Sequence, residues 1–212
     1  MTLVLLHGLG VGQRYFGPLA AELGGDLRRP ELREPLPMVA LAARVERLLD
    51  APAIVVANSM GCQYAVELAV RRPELVRALV LVGPTVDPRA RTLPQQFVRL
   101  LVGAWYEPFR LVGIVALDYL TLGPVDTLRQ ARHALAHNIE ERLPEVRAAT
   151  LVVRGGHDRL CSPEWARDVT SLLPDGRLLT VAGAAHAVHF SHPGEVATAI
   201  RRHVAGTTAA PG

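Results

Sequence analysis

Five short apolar runs dominate this chain: residues 2–6 (TLVLL), 53–57 (AIVVA), 77–82 (RALVLV), 150–154 (TLVVR) and 177–181 (RLLTV). Each is the length of a strand, and most lack the polar alternation that a sheet with one wet face requires. Such runs suit strands buried on both faces, as in a parallel sheet. Between them the apolar residues return every three to four positions. Residues 15–23 carry Phe16, Leu19, Ala20 and Leu23 at helical spacing and stop at Gly24-Gly25. Residues 38–49 set Val39, Leu41, Ala42, Val45, Leu48 and Leu49 against Arg44, Glu46 and Arg47, an amphipathic helix. Helices are also expected over 62–71, 165–173 and 195–204, and residues 26–30 (DLRRP) add a weaker strand candidate. Strands alternating with helices predict an α/β chain with a mostly parallel sheet and right-handed crossovers.

One stretch breaks the alternation. Residues 86–147 hold three helical segments, at 94–104, 109–122 and 126–139, and no convincing strand. They are expected to form a small helical cap inserted into a core made of residues 1–85 and 148–206, with a frayed tail at 207–212. A chain of 212 residues, half of them hydrophobic and 20% charged, can bury one large core.

All 23 basic residues are arginine, interspersed with 20 acids, so the high isoelectric point of about 9.3 does not by itself mark a nucleic-acid binder. The absence of lysine excludes a P-loop lysine, a Schiff-base lysine and a pyridoxal-phosphate anchor. Cys62 and Cys161 are too few for a disulfide framework or a four-cysteine zinc site, and fit buried thiols in a reducing compartment. The N-terminus lacks a basic segment of the signal-peptide kind, and no apolar run approaches the ~20 residues of a membrane helix. The expectation is a cytoplasmic protein with a small-molecule substrate and no membrane or nucleic-acid partner.

Residues with chemical potential gather where apolar runs end. Ala57-Asn58-Ser59-Met60-Gly61 sits between a strand and a helix. A serine at such a turn is lifted above the sheet as a nucleophile, and its neighbours two positions away must be small. Ala57 replaces the more usual glycine there. The plainer reading of Ser59 is a helix cap. His7-Gly8-Leu9-Gly10-Val11-Gly12 ends the first strand, and its glycines permit a tight loop. The Leu9 and Met60 amides are the natural pair to hold an oxyanion. A dinucleotide loop is the rival reading, but the glycines are out of register for G-x-G-x-x-G.

Asp158 follows the fourth apolar run and His186 the fifth, which gives the order Ser59, Asp158, His186. His189 is the alternative base. His7 is expected to shape its loop, and His157 neighbours the candidate acid. The spacing of His186, His189 and His192 hints at a metal face, but Pro193 and the scarcity of nearby acidic or thiol ligands oppose it, so neither metal nor cofactor is expected. Trp105, Tyr106, Phe109 and Tyr119 either line an apolar substrate pocket or pack the cap onto its sheet. With all other candidates outside residues 86–147, the cap is expected to set substrate choice and the sheet to set chemistry.

These segments resemble the α/β-hydrolase family over nearly the whole chain. The resemblance is carried by the HG-rich loop, the NSMG turn, RPELVRALVLVGP, RGGHDRLCSP and GAAHAVHFSHPGEVATAI. It implies an α/β-hydrolase fold, a triad of Ser59, Asp158 and His186, and an oxyanion hole from Leu9 and Met60. Hydrolysis of an ester, lactone or thioester with an apolar acyl group is the activity implied. Carbon–carbon bond hydrolysis by the same triad and a non-catalytic ligand-binding role are the alternatives. By the same resemblance the first two strands of the usual sheet are missing, which leaves 26–30 as a charged, proline-closed edge or a homodimer contact. PELREPLP replaces a D-x-x-G segment often found after that strand.

Overall fold

The computed structural model describes residues 2–208. Six strands form one parallel sheet in the order β2-β1-β3-β4-β5-β6. They are β1 (Leu3–Leu6), β2 (Leu27–Arg28), β3 (Ala53–Asn58), β4 (Val76–Val82), β5 (Thr150–Gly155) and β6 (Gly176–Val181). The five apolar runs are β1 and β3 to β6, and the charged DLRRP segment supplies only the two-residue edge strand β2.

Burial on both faces is visible within single strands. In β3, Ile54 and Val56 point into one core while Val55 and Ala57 point into the other. On the Val55 side pack α2 (Met38–Glu46), α3 (Gly61–Arg71) and α8 (Pro163–Leu172), through Leu41, Tyr64 and Trp165. On the Ile54 side pack α1 (Gly17–Leu23), α9 (Val188–Ser191) and α10 (Pro193–Thr208), through Leu19, Val188 and Ile200.

Helix ends differ from the sequence pattern for identifiable reasons. The segment expected as a helix from residue 15 opens with a 3₁₀ turn, Gln13–Phe16, before α1 begins. Pro18 has no N–H to return to the preceding turn, so the α-helix starts around it. The last helix continues through Gly206 to Thr208, past the expected fraying point, and the rest of the expected tail lies outside the described residues. Between β4 and β5 stand α4 (Leu93–Ala104), α5 (Phe109–Leu122), α6 (Pro124–Ala136) and the single turn α7 (Ile139–Arg142). The helix expected over 126–139 breaks at His137, whose Nε2 meets Glu67 Oε1 at 2.9 Å, with Arg142 closing on the same carboxylate. That side-chain bond to α3 competes with the helical path.

Leu79, at the centre of β4, is fully buried, whereas Leu48 is 45% exposed. Leu79→Ala is expected to cost about 2–5 kcal/mol in chemical denaturation, and Leu48→Ala no more than about 0.5 kcal/mol.

Candidate active site

All the candidate catalytic groups gather at the C-terminal edge of the sheet, the side on which open α/β sheets bind ligands. Ser59 is the hinge between β3 and α3. Its φ of 56° lies in the left-handed region, and it is the sole non-glycine with positive φ among the described residues. Such a backbone costs about 1–3 kcal/mol and persists only where its surroundings over-determine it. Here Ser59 N–H and Asn58 Nδ2 both donate to Val82 O, at 2.9 and 3.1 Å, and Cys62 N–H donates to Ser59 O at 3.0 Å. Gly61 must lack a side chain, because a Cβ would stand 2.5 Å from Leu6 O. A Cβ on Gly8 would stand 3.1 Å from Ser59 Cβ, so the loop after β1 lies directly against the serine.

Asp158 and His186 are joined. His186 Nδ1 and Asp158 Oδ2 are 2.9 Å apart, and the carboxylate is completely buried. Its other oxygen, Oδ1, accepts the Leu160 and Cys161 N–H groups at 2.8 and 2.9 Å. Both oxygens of the buried acid are thus hydrogen-bonded. Burial pulls the proton affinity of His186 down, but Asp158 by charge and hydrogen bond, with Glu107, outweighs it, so the imidazole pKa is raised above its usual 6.5. His186 Nε2 is buried without a hydrogen-bond partner among the described residues.

Two glycines make room for this pair. A Cβ on Gly83, just past β4, would press on the His186 ring at 2.9 Å and on Asp158 Oδ2 at 3.1 Å. A Cβ on Gly155 would stand 2.1 Å from Ala185 O. Because Ser59 N–H is bonded to Val82 O, and Gly83 abuts the imidazole, the serine turn and the histidine both flank the end of β4. Neither glycine stood out in the sequence. The G of LVGP, directly after an apolar run, was the available signal for Gly83.

The loop after β1 is held from the cap. Gly10 N–H donates to Gln130 Oε1 at 2.9 Å, and Gly12 N–H donates to Asp118 Oδ2 at 2.8 Å. Asp118 is also paired with Arg14 at 3.0 Å. A carboxylate and an amide oxygen therefore occupy the positions a phosphate would take in a dinucleotide loop, which removes that reading. No hydrogen bond from the Leu9 or Met60 amide is formed among the described residues.

The cap also contributes polar contacts to the loops that carry the candidate site. Gln130, Asp118 and Glu107, whose Oε1 accepts Ala187 N–H at 2.8 Å, all reach into them. Of these only Asp118 left a trace in the sequence, as the lone acid in the apolar segment 109–122.

The four cap aromatics diverge. Tyr119 lies against Gly10, where a Cβ would meet its ring at 2.5 Å. Tyr106 stacks on His157, ring centroids 5.0 Å apart, with Arg159 over its ring. Trp105 and Phe109 are 89% and 93% exposed.

The remaining histidines have structural surroundings. His7 Nε2 accepts the Leu32 N–H at 2.9 Å, so its proton sits on Nδ1, which donates to Gly8 O. His189 is sandwiched between Tyr15 and Phe16, each centroid 4.5 Å away, and burial pushes its pKa down to about 3. It has no carboxylate partner, unlike His186. His192 bonds Ser191. Among the described residues no three His, Cys, Asp or Glu side chains converge as a metal site.

Residues 3–199 match the pattern of the Alpha/beta hydrolase family. The chain belongs to that family. Among curated relatives of this hydrolase, a pimeloyl-[acyl-carrier protein] methyl ester esterase of Neisseria meningitidis is 27% identical over 239 residues, covering 95% of this chain and 92% of the relative. Polyketide synthase ThaQ of Burkholderia thailandensis is 30% identical over 230 residues, covering 89% of this chain but 11% of the synthase. The solved structure of olei00960, a hydrolase from Oleispira antarctica, superposes with a TM-score of 0.80 at 14% identity, covering 96% of this chain and 90% of that one. At that identity the likeness shows a shared fold.

Gly83→Ala tests the fit of the Asp158–His186 pair. Labelling of the hydrolase by a fluorophosphonate is expected to slow by about 10²-fold, the scale of a 1 Å misplacement. Gly113→Ala, at a helical site with open space around it, is the control and should gain about 0.5–1 kcal/mol in stability.

Proposed function

We propose that this hydrolase cleaves a carboxylic ester, lactone or thioester through an acyl-enzyme formed on Ser59. One observation carries the reading. The His186 ring is fixed through Nδ1 by a fully buried carboxylate, while its other nitrogen is buried and unpartnered among the described residues, and Gly83, which abuts the ring, follows the Val82 carbonyl that accepts the Ser59 N–H. That is the state of a general base awaiting a hydroxyl proton.

In the first half-reaction Ser59 Oγ attacks the carbonyl carbon as its proton passes to His186 Nε2. The carbonyl oxygen becomes an oxyanion held by the Leu9 and Met60 N–H groups. Collapse of the tetrahedral intermediate breaks the bond to the alcohol or thiol, which leaves with the proton from His186. Water then repeats the sequence on the acyl group, and Ser59 is restored. Asp158 stays ionised throughout and balances the imidazolium. No step uses a metal or cofactor.

The esterase relative supports an acyl ester as substrate, since its name describes the methyl ester of a carrier-bound acyl chain. Tyr119, beside the oxyanion loop, is suited to contact such an acyl group, and Tyr106 to border the approach; the outward Trp105 and Phe109 would meet only a long substrate.

Hydrolysis of a panel of p-nitrophenyl esters, thioesters and lactones tests the reading. Ser59→Ala and His186→Ala should each reduce kcat by about 10⁴-fold or more, and the double variant should be scarcely worse than either. His189→Ala should have little effect on kcat. Because the neutral imidazole is the active form, and its pKa is raised, kcat/KM should fall as the pH drops through a value above 6.5. Full turnover by Ser59→Ala would move the nucleophile elsewhere.

A further inference from the structure

The turn between α4 and α5 is inside out. Its sequence is Trp105-Tyr106-Glu107-Pro108-Phe109, and the structure exposes the tryptophan and phenylalanine almost fully while half-burying the glutamate between them, with its Oε2 out of solvent. Exposed aromatics and a buried carboxylate oxygen are both unfavourable by themselves. The arrangement is sustained by what the acid touches. Glu107 Oε1 accepts the Ala187 N–H at 2.8 Å, the amide next to His186 in the chain. Glu107 Oε2 is buried with no hydrogen-bond partner among the described residues. An unpaired carboxylate oxygen in such a place is costly unless a positive charge appears near it.

We propose that Glu107 is a positioning residue for His186, anchoring the histidine loop to the cap through Ala187 and giving the imidazolium a second carboxylate besides Asp158. The proposal rests on the serine-hydrolase reading, in which His186 becomes positively charged during each half-reaction. It puts the turn between α4 and α5 in direct control of the base.

The charged and titratable neighbours support this division of labour. Asp158 bonds the imidazole from the loop after β5, Glu107 bonds the neighbouring Ala187 amide from the cap, and both charges raise the His186 pKa, while His189 on α9 is the nearby histidine. His189, pushed down to about 3, is neutral at working pH. Tyr15, from the 3₁₀ turn before α1, faces Glu107 and is held protonated by burial. Asp158 and Glu107 are therefore the two groups able to supply negative charge. Burial, with a smaller push from Asp158, holds the Glu107 carboxyl above its usual value, and the Ala187 amide and His186 offset only part of that rise.

Two variants separate charge from anchoring. Glu107→Gln keeps an oxygen for the Ala187 N–H and removes the charge; Glu107→Ala removes both. The ionisation of His186 is read by NMR of histidine-labelled protein, and the rate of fluorophosphonate labelling is followed against pH. In Glu107→Gln the His186 pKa should fall by about half a unit or more, the direction set by losing an opposite charge. The acidic limb of labelling should move by the same amount, and the plateau should fall less than in Glu107→Ala. In Glu107→Ala the plateau should also drop by about 10-fold or more. If Glu107→Gln leaves both the His186 titration and the limb unchanged, the proposal is overturned, whether or not Glu107→Ala folds. A uniform loss of rate at every pH, with His186 titrating as in wild type, also overturns it by showing a purely structural role. Ser59→Ala distinguishes the two levels: labelling that survives in it refutes the hydrolase reading, whereas labelling lost in it with an unshifted Glu107→Gln profile refutes only the role of Glu107.

Discussion

A carboxylate with no access to water has to be satisfied entirely by the protein, and Asp158 is that carboxylate. Its demands organise the catalytic edge of the sheet. Two amides of the following turn hold one oxygen, and the His186 ring holds the other. For that ring to arrive, the loops after β5 and β6 must lie nearly in contact. Backbone bonds from Gly156 to Val181 and from His157 to Ala184, both 2.8 Å, join them. The missing side chains at Gly155 and Gly83 let the joined loops close against the end of β4. Trp165, fully buried on α8, donates its indole N–H to Pro84 O at 3.0 Å and fixes the segment after Gly83. One buried ionic hydrogen bond thus sets the spacing of three loops.

The cap completes the framework from the opposite side. Asp118 and Gln130 occupy the amides of Gly12 and Gly10, which holds the loop immediately after Leu9. Glu107 does the same for the histidine loop through Ala187. In this arrangement one structural element, the cap, supports both loops of the candidate site.

Much of this was legible in the sequence, for physical reasons. Strands buried on both faces have almost no choice but to be apolar runs, so β1 and β3 to β6 stood out directly. The strand-to-helix serine and the positions of Asp158 and His186 after consecutive runs were readable because open α/β sheets place functional loops at one edge. Contacts between distant segments left weaker marks. Gln130 and Glu107 are ordinary polar residues on or beside helices, and nothing local distinguishes one that reaches an amide more than 75 positions away. Gly83 and Gly155 look like routine loop glycines until the imidazole and the Ala185 carbonyl are seen pressing on them. The helix break at His137 had the same origin, a side chain drawn to Glu67 on another element.

The central claim is that Ser59 becomes covalently acylated by a carbonyl substrate with His186 as base. Acid quenching during turnover of a p-nitrophenyl ester, followed by peptide mass spectrometry, measures this directly. The account predicts a burst of p-nitrophenol close to the enzyme concentration and an acyl mass on the peptide containing Ser59, with neither in His186→Ala on the same timescale. Steady turnover with no acylated peptide, or an acyl group mapped to any other residue, would contradict it.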